Sequence, residues 1–215
     1  MKRIVGILAI ITMLFILTGC KEYEYDSEAT ECFGIGYSTY ENKAFVGEYR
    51  YDLAKSNTDI VIPEEYKGIP ITKLGGYFGL GVPTPFGIDF VLESLPDYES
   101  VVRISSCYED MVDPTKDEII YIDFTLLISK NIEVFENTML DWYRIVEYPI
   151  ECECDEQSSC EICENEQTRV VAYIPRFYVT CDEANKTFYA KDGKLYLKAD
   201  NTLVEEISYF DFTVD

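Results

Sequence analysis

The chain has 215 residues, with 40 Asp or Glu against 18 Lys or Arg, no histidine and a formal net charge of −22. Such an acidic chain repels phosphate backbones, so nucleic acid is excluded as a partner. The lack of histidine excludes Ser-His-Asp and Cys-His catalysis, and no other catalytic motif is present, so we expect no enzymatic activity. The 18 tyrosines and many Ile and Val residues favour strands, which predicts a mainly β fold.

The N-terminus has the pattern of an export signal. Two cations, Lys2 and Arg3, precede an apolar run of about 14 residues, which is shorter than the ~20 residues of a membrane-spanning helix. The run ends in Leu-Thr-Gly-Cys at residues 17–20, which resembles the bacterial lipobox. That resemblance implies that residues 1–19 are a signal peptide removed on export. It also implies that Cys20 is lipidated and anchors the protein to the outer face of a bacterial membrane.

The residues after Cys20 divide into a linker and one domain. Residues 20–31 are short, polar and acidic, and we expect them to be a tether between the lipid and the domain. Residues 32–215 have the length and apolar content of a single β-rich domain. Near its start, Asn42 and Lys43 separate two apolar runs, which predicts a hairpin within residues 33–53.

Residues 58–75 carry the most specific pattern of the mature chain. Ile60 and Ile62 alternate as on a short strand, and the proline that follows ends the run because it has no N–H group. Gly68 permits a tight turn, after which Ile71 and Leu74 return apolar side chains to the same core. A strand and a return that share one layer of core are typical of a solenoid.

This segment resembles the leucine-rich repeats of BspA-like bacterial surface proteins, whose units read I-x-I-P and then Y-x-G-x-P-V-T-x-I-G. The resemblance implies a short, divergent repeat solenoid with hairpin insertions. An irregular β-sandwich is the alternative. It also implies adhesion or ligand recognition, with the matching residues as framework and not as a binding site: Ile60, Ile62, Tyr66, Gly68, Ile71 and Leu74.

Two further segments repeat the pattern less completely. Apolar residues alternate along 119–128, and residues 130–135 resemble the strand-to-turn return of the family. Residues 188–198 resemble a hairpin found between its repeats, and Asp192-Gly193 is itself a strong hairpin signal. A stable solenoid usually needs at least three units, so the array is short.

Two strand-like runs, 142–150 and 168–180, flank an acidic, cysteine-rich tip at 151–167, which predicts a long hairpin. The tip cysteines have the spacing C-x-C-x5-C-x2-C: Cys152, Cys154, Cys160 and Cys163. Four thiolates can hold a structural zinc ion, whereas the oxidising exterior of a cell favours two disulfides. We favour the disulfides, and apart from a possible structural zinc ion at these cysteines we expect no cofactor. The remaining cysteines are Cys32, Cys107 and Cys181, and we expect an unpaired one to pack as a small apolar residue.

Two functions remain open at this point. The first is a membrane-anchored surface lipoprotein with a non-catalytic binding domain, whose partner is a protein or glycan. The second is an extracytoplasmic metal-binding or thiol-redox protein that uses the four cysteines of the tip. Elemental analysis and thiol counting would separate them, because only a metal site contains bound metal.

Overall fold

The structure is a computed structural model, and it describes residues 24–78, 82–84, 86–107, 112–136, 138–140, 142–150, 168–205 and 207–210. The fold is mainly β, as the sequence predicts. The strands follow one another along the chain as β1 (Glu24–Asp26), β2 (Phe33–Ser38), β3 (Lys43–Tyr51), β4 (Asp59–Val61), β5 (Glu65–Tyr66), β6 (Ile69–Leu74), β7 (Gly76–Phe78), β8 (Val82–Thr84), β9 (Ile88–Phe90), β10 (Arg103–Cys107), β11 (Glu118–Ile128), β12 (Val134–Phe135), β13 (Tyr143–Pro149), β14 (Thr168–Cys181), β15 (Phe188–Lys191) and β16 (Lys194–Leu197). Two short 3₁₀ helices, Leu92–Ser94 and Tyr98–Ser100, lie between β9 and β10.

Most of the strands belong to two sheets. The larger sheet has seven strands: β1, β2, β3, β6 and β12 in that order, with β5 added to β6 and β9 added to β3. The other sheet has the order β10-β13-β14-β11-β4. Two small hairpins, β7-β8 and β15-β16, complete the described strands.

The core lies between the two sheets and is rich in aromatic rings. Phe124 of β11 is at its centre, with ring centroids 5.0 Å from Tyr51, 6.4 Å from Tyr49 and 5.5 Å from Phe177. Phe90 joins Tyr51 to Tyr173 at 5.6 Å on each side. Rings from both sheets therefore contact one another, and this burial of apolar surface is the main source of stability.

The segments that resemble repeats are aligned in parallel at two places. In the smaller sheet, β4 pairs with β11, so that Ile60 lies beside Leu126. In the larger sheet, β6 pairs with β12, so that Leu74 lies beside Phe135. Each segment thus sends one strand to each sheet. As predicted, Ile60, Ile62, Ile71 and Leu74 are all buried.

The two-residue turns occur where the sequence predicts them. Lys67 and Gly68 join β5 to β6 with φ values of 51° and 75°, which is the left-handed geometry of a tight hairpin. Asp192 and Gly193 join β15 to β16 with φ values of 52° and 75°. The hairpin predicted around Asn42 is also present, because β2 and β3 are antiparallel neighbours.

The long hairpin at the cysteine-rich tip is confirmed up to its base. β13 and β14 are antiparallel, with Pro149 opposite Thr168 at the end of the pairing. Pro175 lies inside β14, but the pairing with β13 stops at Tyr173, so the missing N–H group of the proline interrupts no bond to that strand. The tip itself, 151–167, lies outside the described residues.

One short strand lies in the segment expected to be a tether. β1 pairs with β2 at the edge of the larger sheet, so within the described residues the first strand lies at Glu24 and not near Cys32. Side chains reinforce this pairing: the Tyr37 hydroxyl donates to Glu24 at 2.5 Å and the Tyr66 hydroxyl donates to Asp26 at 2.6 Å. The hydrogen bond from Tyr66 lowers the pKa of the Asp26 carboxyl. Tyrosine-carboxylate bonds of this kind are not visible as a sequence pattern.

Candidate functional site

An open groove of about 960 Å³ lies beside the base of the long hairpin. One wall comes from the 3₁₀ region between β9 and β10, and the other comes from the end of β13 and the start of β14. The lining residues are Glu93, Leu95, Asp97, Tyr98, Glu99, Ser100, Tyr148, Pro149, Ile150 and Arg169. The groove is therefore built from segments that are distant in the chain.

Hydrogen bonds hold the two walls together. The buried Tyr148 of β13 donates its hydroxyl hydrogen to the Pro96 carbonyl at 2.8 Å. The Val102 N–H donates to the Glu147 carbonyl at 2.9 Å, which extends the pairing of β10 with β13 by one residue. Leu95 is buried below the 3₁₀ helices and contributes to the main core. The groove consequently rests on the folded core.

The rim of the groove is acidic. Glu93, Asp97 and Glu99 line it, and none of the three forms an ion pair within the part of the chain that the structure describes. The one cation of the groove, Arg169, already has two neighbours. Its guanidinium lies 3.3 Å from the Glu118 carboxylate and 4.8 Å from the centroid of the Tyr148 ring. The arginine is therefore engaged, and the rim carries an excess of negative charge.

Exposed apolar side chains gather at the same place. Tyr98 and Ile150 line the groove and expose 38% and 37% of their surface. A neighbouring groove of about 440 Å³ shares Tyr98 and Glu99 with the first and is lined also by Leu92 and Val102. Leu92 and Val102 are 39% and 60% exposed. Arg103 also lines the second groove and forms an ion pair with Glu147 at 3.7 Å. We call the two adjoining grooves together the 92–104 trench; it has exposed apolar side chains and an acidic rim.

Two ionisable groups of β14, Tyr173 near the trench and Cys181 at the opposite end of the strand, are held in their neutral forms. Burial raises the pKa of Tyr173, and the adjacent Tyr148 raises it further, so this phenol stays protonated at neutral pH. Burial also raises the pKa of the Cys181 thiol to about 11, which makes the thiolate scarce at neutral pH. Neither group has the properties of a base or nucleophile.

The site residues predicted from the sequence fall mostly elsewhere. Cys20 and the four tip cysteines, Cys152, Cys154, Cys160 and Cys163, lie outside the described residues. Cys32 and Cys181 are free thiols, and both pack partly buried against the core, as expected of an unpaired cysteine. Cys107 belongs to β10.

The described residues give two further observations. Within them, no group of three or more Cys, Asp or Glu side chains is placed to hold a metal ion. Among the same residues, from Glu24 onwards, no helix combines the length and apolar character that crossing a bilayer requires.

The trench is not visible as a pattern in the sequence. Its residues come from three separated stretches of the chain, and Leu-Pro-Asp at 95–97 looks in the sequence like an ordinary turn. A partial signal was present in Leu92, Tyr98 and Val102, three large apolar residues among acidic ones in a region without strand alternation. Exposure, which marks them as unusual, becomes visible only in the fold.

The chain was compared with known proteins at three levels. No family model, no curated protein and no solved structure matches it.

Proposed function

We propose that this protein is a surface lipoprotein, anchored to the outer face of a bacterial membrane through Cys20, whose β domain binds a partner without catalysis. The observation that carries the proposal is the 92–104 trench. Four large apolar side chains are exposed at one place, supported by a rigid core, and clustered exposure of this kind is typical of interaction sites.

The arrangement of the strands supports a repeat-like domain of the kind that the BspA-like resemblance implies. Residues 59–74 and 118–135 each send one strand to each sheet, and both pairs of strands are parallel. β14 extends the stack, because it pairs in parallel with β11 over 11 positions. We therefore propose a short solenoid of stacked units, with the β13-β14 hairpin as an insertion whose base forms one wall of the trench.

The anchor is tested by replacing the lipobox cysteine. We expect Cys20→Ala to abolish labelling by a fatty-acid analogue in cells and to leave an uncleaved precursor. Cys32→Ala is the matched control, because this partly buried thiol is not expected to be lipidated and should leave labelling unchanged. Equal labelling of the Cys20→Ala variant and the wild type would contradict the anchor.

The binding function is tested with arrays of peptides and glycans probed with the full-length protein in mild detergent. We expect binding that Tyr98→Ala and Ile150→Ser reduce at least tenfold. Tyr40→Ala is the control, because Tyr40 is 89% exposed and is absent from the lining of the trench. Loss of binding in the control variant alone would place the interaction on another surface.

A further inference from the structure

We infer that the occupant of the 92–104 trench is an extended, positively charged peptide segment of a protein partner that also carries aromatic or aliphatic side chains. This inference rests on the proposed binding function and deepens it by naming the chemistry of the partner. Three features of the trench carry the inference: its charge, its apolar walls and its shape.

The charge of the trench selects a cation. Glu93, Asp97 and Glu99 lie on the rim without ion pairs in the described structure, and Arg169 is engaged by Glu118 and by the Tyr148 ring. Because these carboxylates form no ion pair in the described structure, a Lys or Arg side chain of a partner can pair with them without displacing another cation. An approaching carboxylate meets three like charges, and the two cations that line the trench, Arg103 and Arg169, are already paired with Glu147 and Glu118. The trench therefore disfavours acidic segments.

The apolar walls add a second requirement. Tyr98 lies between the two halves of the trench with 38% of its surface exposed, which leaves ring surface for a cation or an apolar side chain. Leu92, Val102 and Ile150 offer aliphatic surface on both sides. A partner that carries only charged side chains leaves the apolar walls of the trench exposed to water. Apolar side chains next to the cations cover these walls and increase the affinity.

The shape of the trench favours a chain over a compact small molecule. The two halves have volumes of about 960 Å³ and 440 Å³ and share Tyr98 and Glu99. Both are open to solvent along their length, whereas sites for small molecules usually enclose most of the ligand. An extended peptide can lie along both halves and place successive side chains in each.

A membrane surface is the competing occupant for an anchored protein. The apolar walls alone are compatible with insertion into lipid, but the acidic rim is not attracted to anionic headgroups, and burying its carboxylates in a bilayer is costly. The charge of the trench therefore favours the peptide.

The test uses two heptapeptides that differ only in charge, acetyl-KYKLKYK-amide and acetyl-EYELEYE-amide, with full-length protein in mild detergent. By calorimetry or fluorescence anisotropy, we expect the lysine peptide to bind at least tenfold more tightly than the glutamate peptide. We expect the preference to shrink as the salt concentration rises from 50 mM to 500 mM, because screening weakens the exposed charge pairs. Equal affinity for both peptides would overturn the inference.

Charge variants test whether the preference for the lysine peptide arises at the trench. The double variant Glu93→Gln/Glu99→Gln should weaken binding of the lysine peptide at least tenfold. The control Glu28→Gln/Glu183→Gln removes the same charge from exposed positions elsewhere and should leave binding within about twofold. If both double variants weaken binding equally, the peptide senses only the net charge, and the inference is wrong.

The outcomes separate this inference from the proposed function. Binding of array ligands that is lost in Tyr98→Ala, but shows no preference for cationic peptides, overturns the inference and leaves the binding function intact. The bilayer is tested by placing Tyr98→Trp protein in vesicles of brominated zwitterionic lipid. Quenching of the added tryptophan beyond that of the single native Trp142 would identify lipid as the occupant and overturn the inference.

Discussion

Two segments of this protein form the same kind of unit by different means. Residues 59–74 return from one sheet to the other through a hairpin whose turn, Lys67-Gly68, is set by its own backbone geometry. Residues 118–135 return through a loop that depends on Asn185, a residue more than 50 positions away in the chain. The first return is encoded locally, and the second is encoded by a tertiary contact.

Asn185 is almost completely buried, with 1% of its surface exposed, and its side chain makes four hydrogen bonds. The Nδ2 group donates to the carbonyls of Ser129 and Ile132 at 2.9 Å each. The Oδ1 atom accepts from the N–H groups of Thr187 and Phe188 at 2.8 and 2.7 Å. One side chain thus closes two loops. The resemblance to a repeat is clear in the first segment and faint in the second. The loop of the second segment is held by hydrogen bonds from Asn185, so it needs no turn motif in its own sequence.

The largest expected effect comes from the core that both segments share. Phe124→Ala removes a buried ring that contacts three others and should cost about 3–5 kcal/mol in the free energy of unfolding. Denaturant melts measure it. Tyr121→Ala is the control on the same strand, because Tyr121 points outward with 53% exposure and should cost no more than about 1 kcal/mol. Equal losses would mean that β11 is not oriented as described.

The next effect tests the tertiary contact directly. Asn185→Ala should cost about 3 kcal/mol, because it leaves two buried carbonyls and two N–H groups without partners. Asn131→Ala is the control: its exposed amide donates one bond to the Glu64 carbonyl at 3.1 Å and should be worth about 1 kcal/mol or less. A loss for Asn185→Ala no greater than that of the control would show that the second return holds its shape unaided.

The local turn of the first segment should be sensitive to backbone strain alone. Gly68→Val should cost about 1–3 kcal/mol, because a β-branched residue at a φ of 75° is strained, although the space around the glycine is open. Gly68→Asn should retain most of the stability, since asparagine tolerates the left-handed region. An unchanged denaturation midpoint for the valine variant would contradict the turn geometry.

The smallest effect concerns the ion pair that joins the two returns. Lys130 lies 2.5 Å from the Glu64 carboxylate, but both side chains are about half exposed. Lys130→Ala should therefore change the free energy of unfolding by less than about 1 kcal/mol, and the difference should vanish in high salt. A loss larger than that of Gly68→Val would mean that charge, and not turn geometry, determines the first return.

Much of the fold was predictable because its signals are local. Strand alternation in 119–128 and the tight turns at Gly68 and Asp192-Gly193 depend on neighbouring residues, and these predictions are confirmed. The hairpin of β13 and β14 followed in the same way from two strand-like runs around one tip.

The rest depends on contacts that have no fixed spacing in the sequence. The parallel pairing of β3 with β6 and β9 joins strands separated by other elements. β1 adds only three residues to the sheet by pairing with β2, and two of them, Glu24 and Asp26, also accept hydrogen bonds from Tyr37 and Tyr66. Asn185 reads in the sequence as an ordinary turn residue. The 92–104 trench exists only because β13 and β14 bring Tyr148 and Arg169 beside the 3₁₀ helices.

The pairing of β1 with β2 would limit the distance between the domain and a lipid anchor at Cys20. With lipid on Cys20 as proposed, only residues 21–23 separate the anchored residue from the paired Glu24. Four Cα steps of at most ~3.6 Å span about 14 Å, less than half the thickness of a bilayer core. The edge of the larger sheet is then held within a single layer of headgroups and water. An anchor at Cys20 would therefore bring the protein to its partners at the membrane surface itself, and release of β1 would be needed to extend its reach.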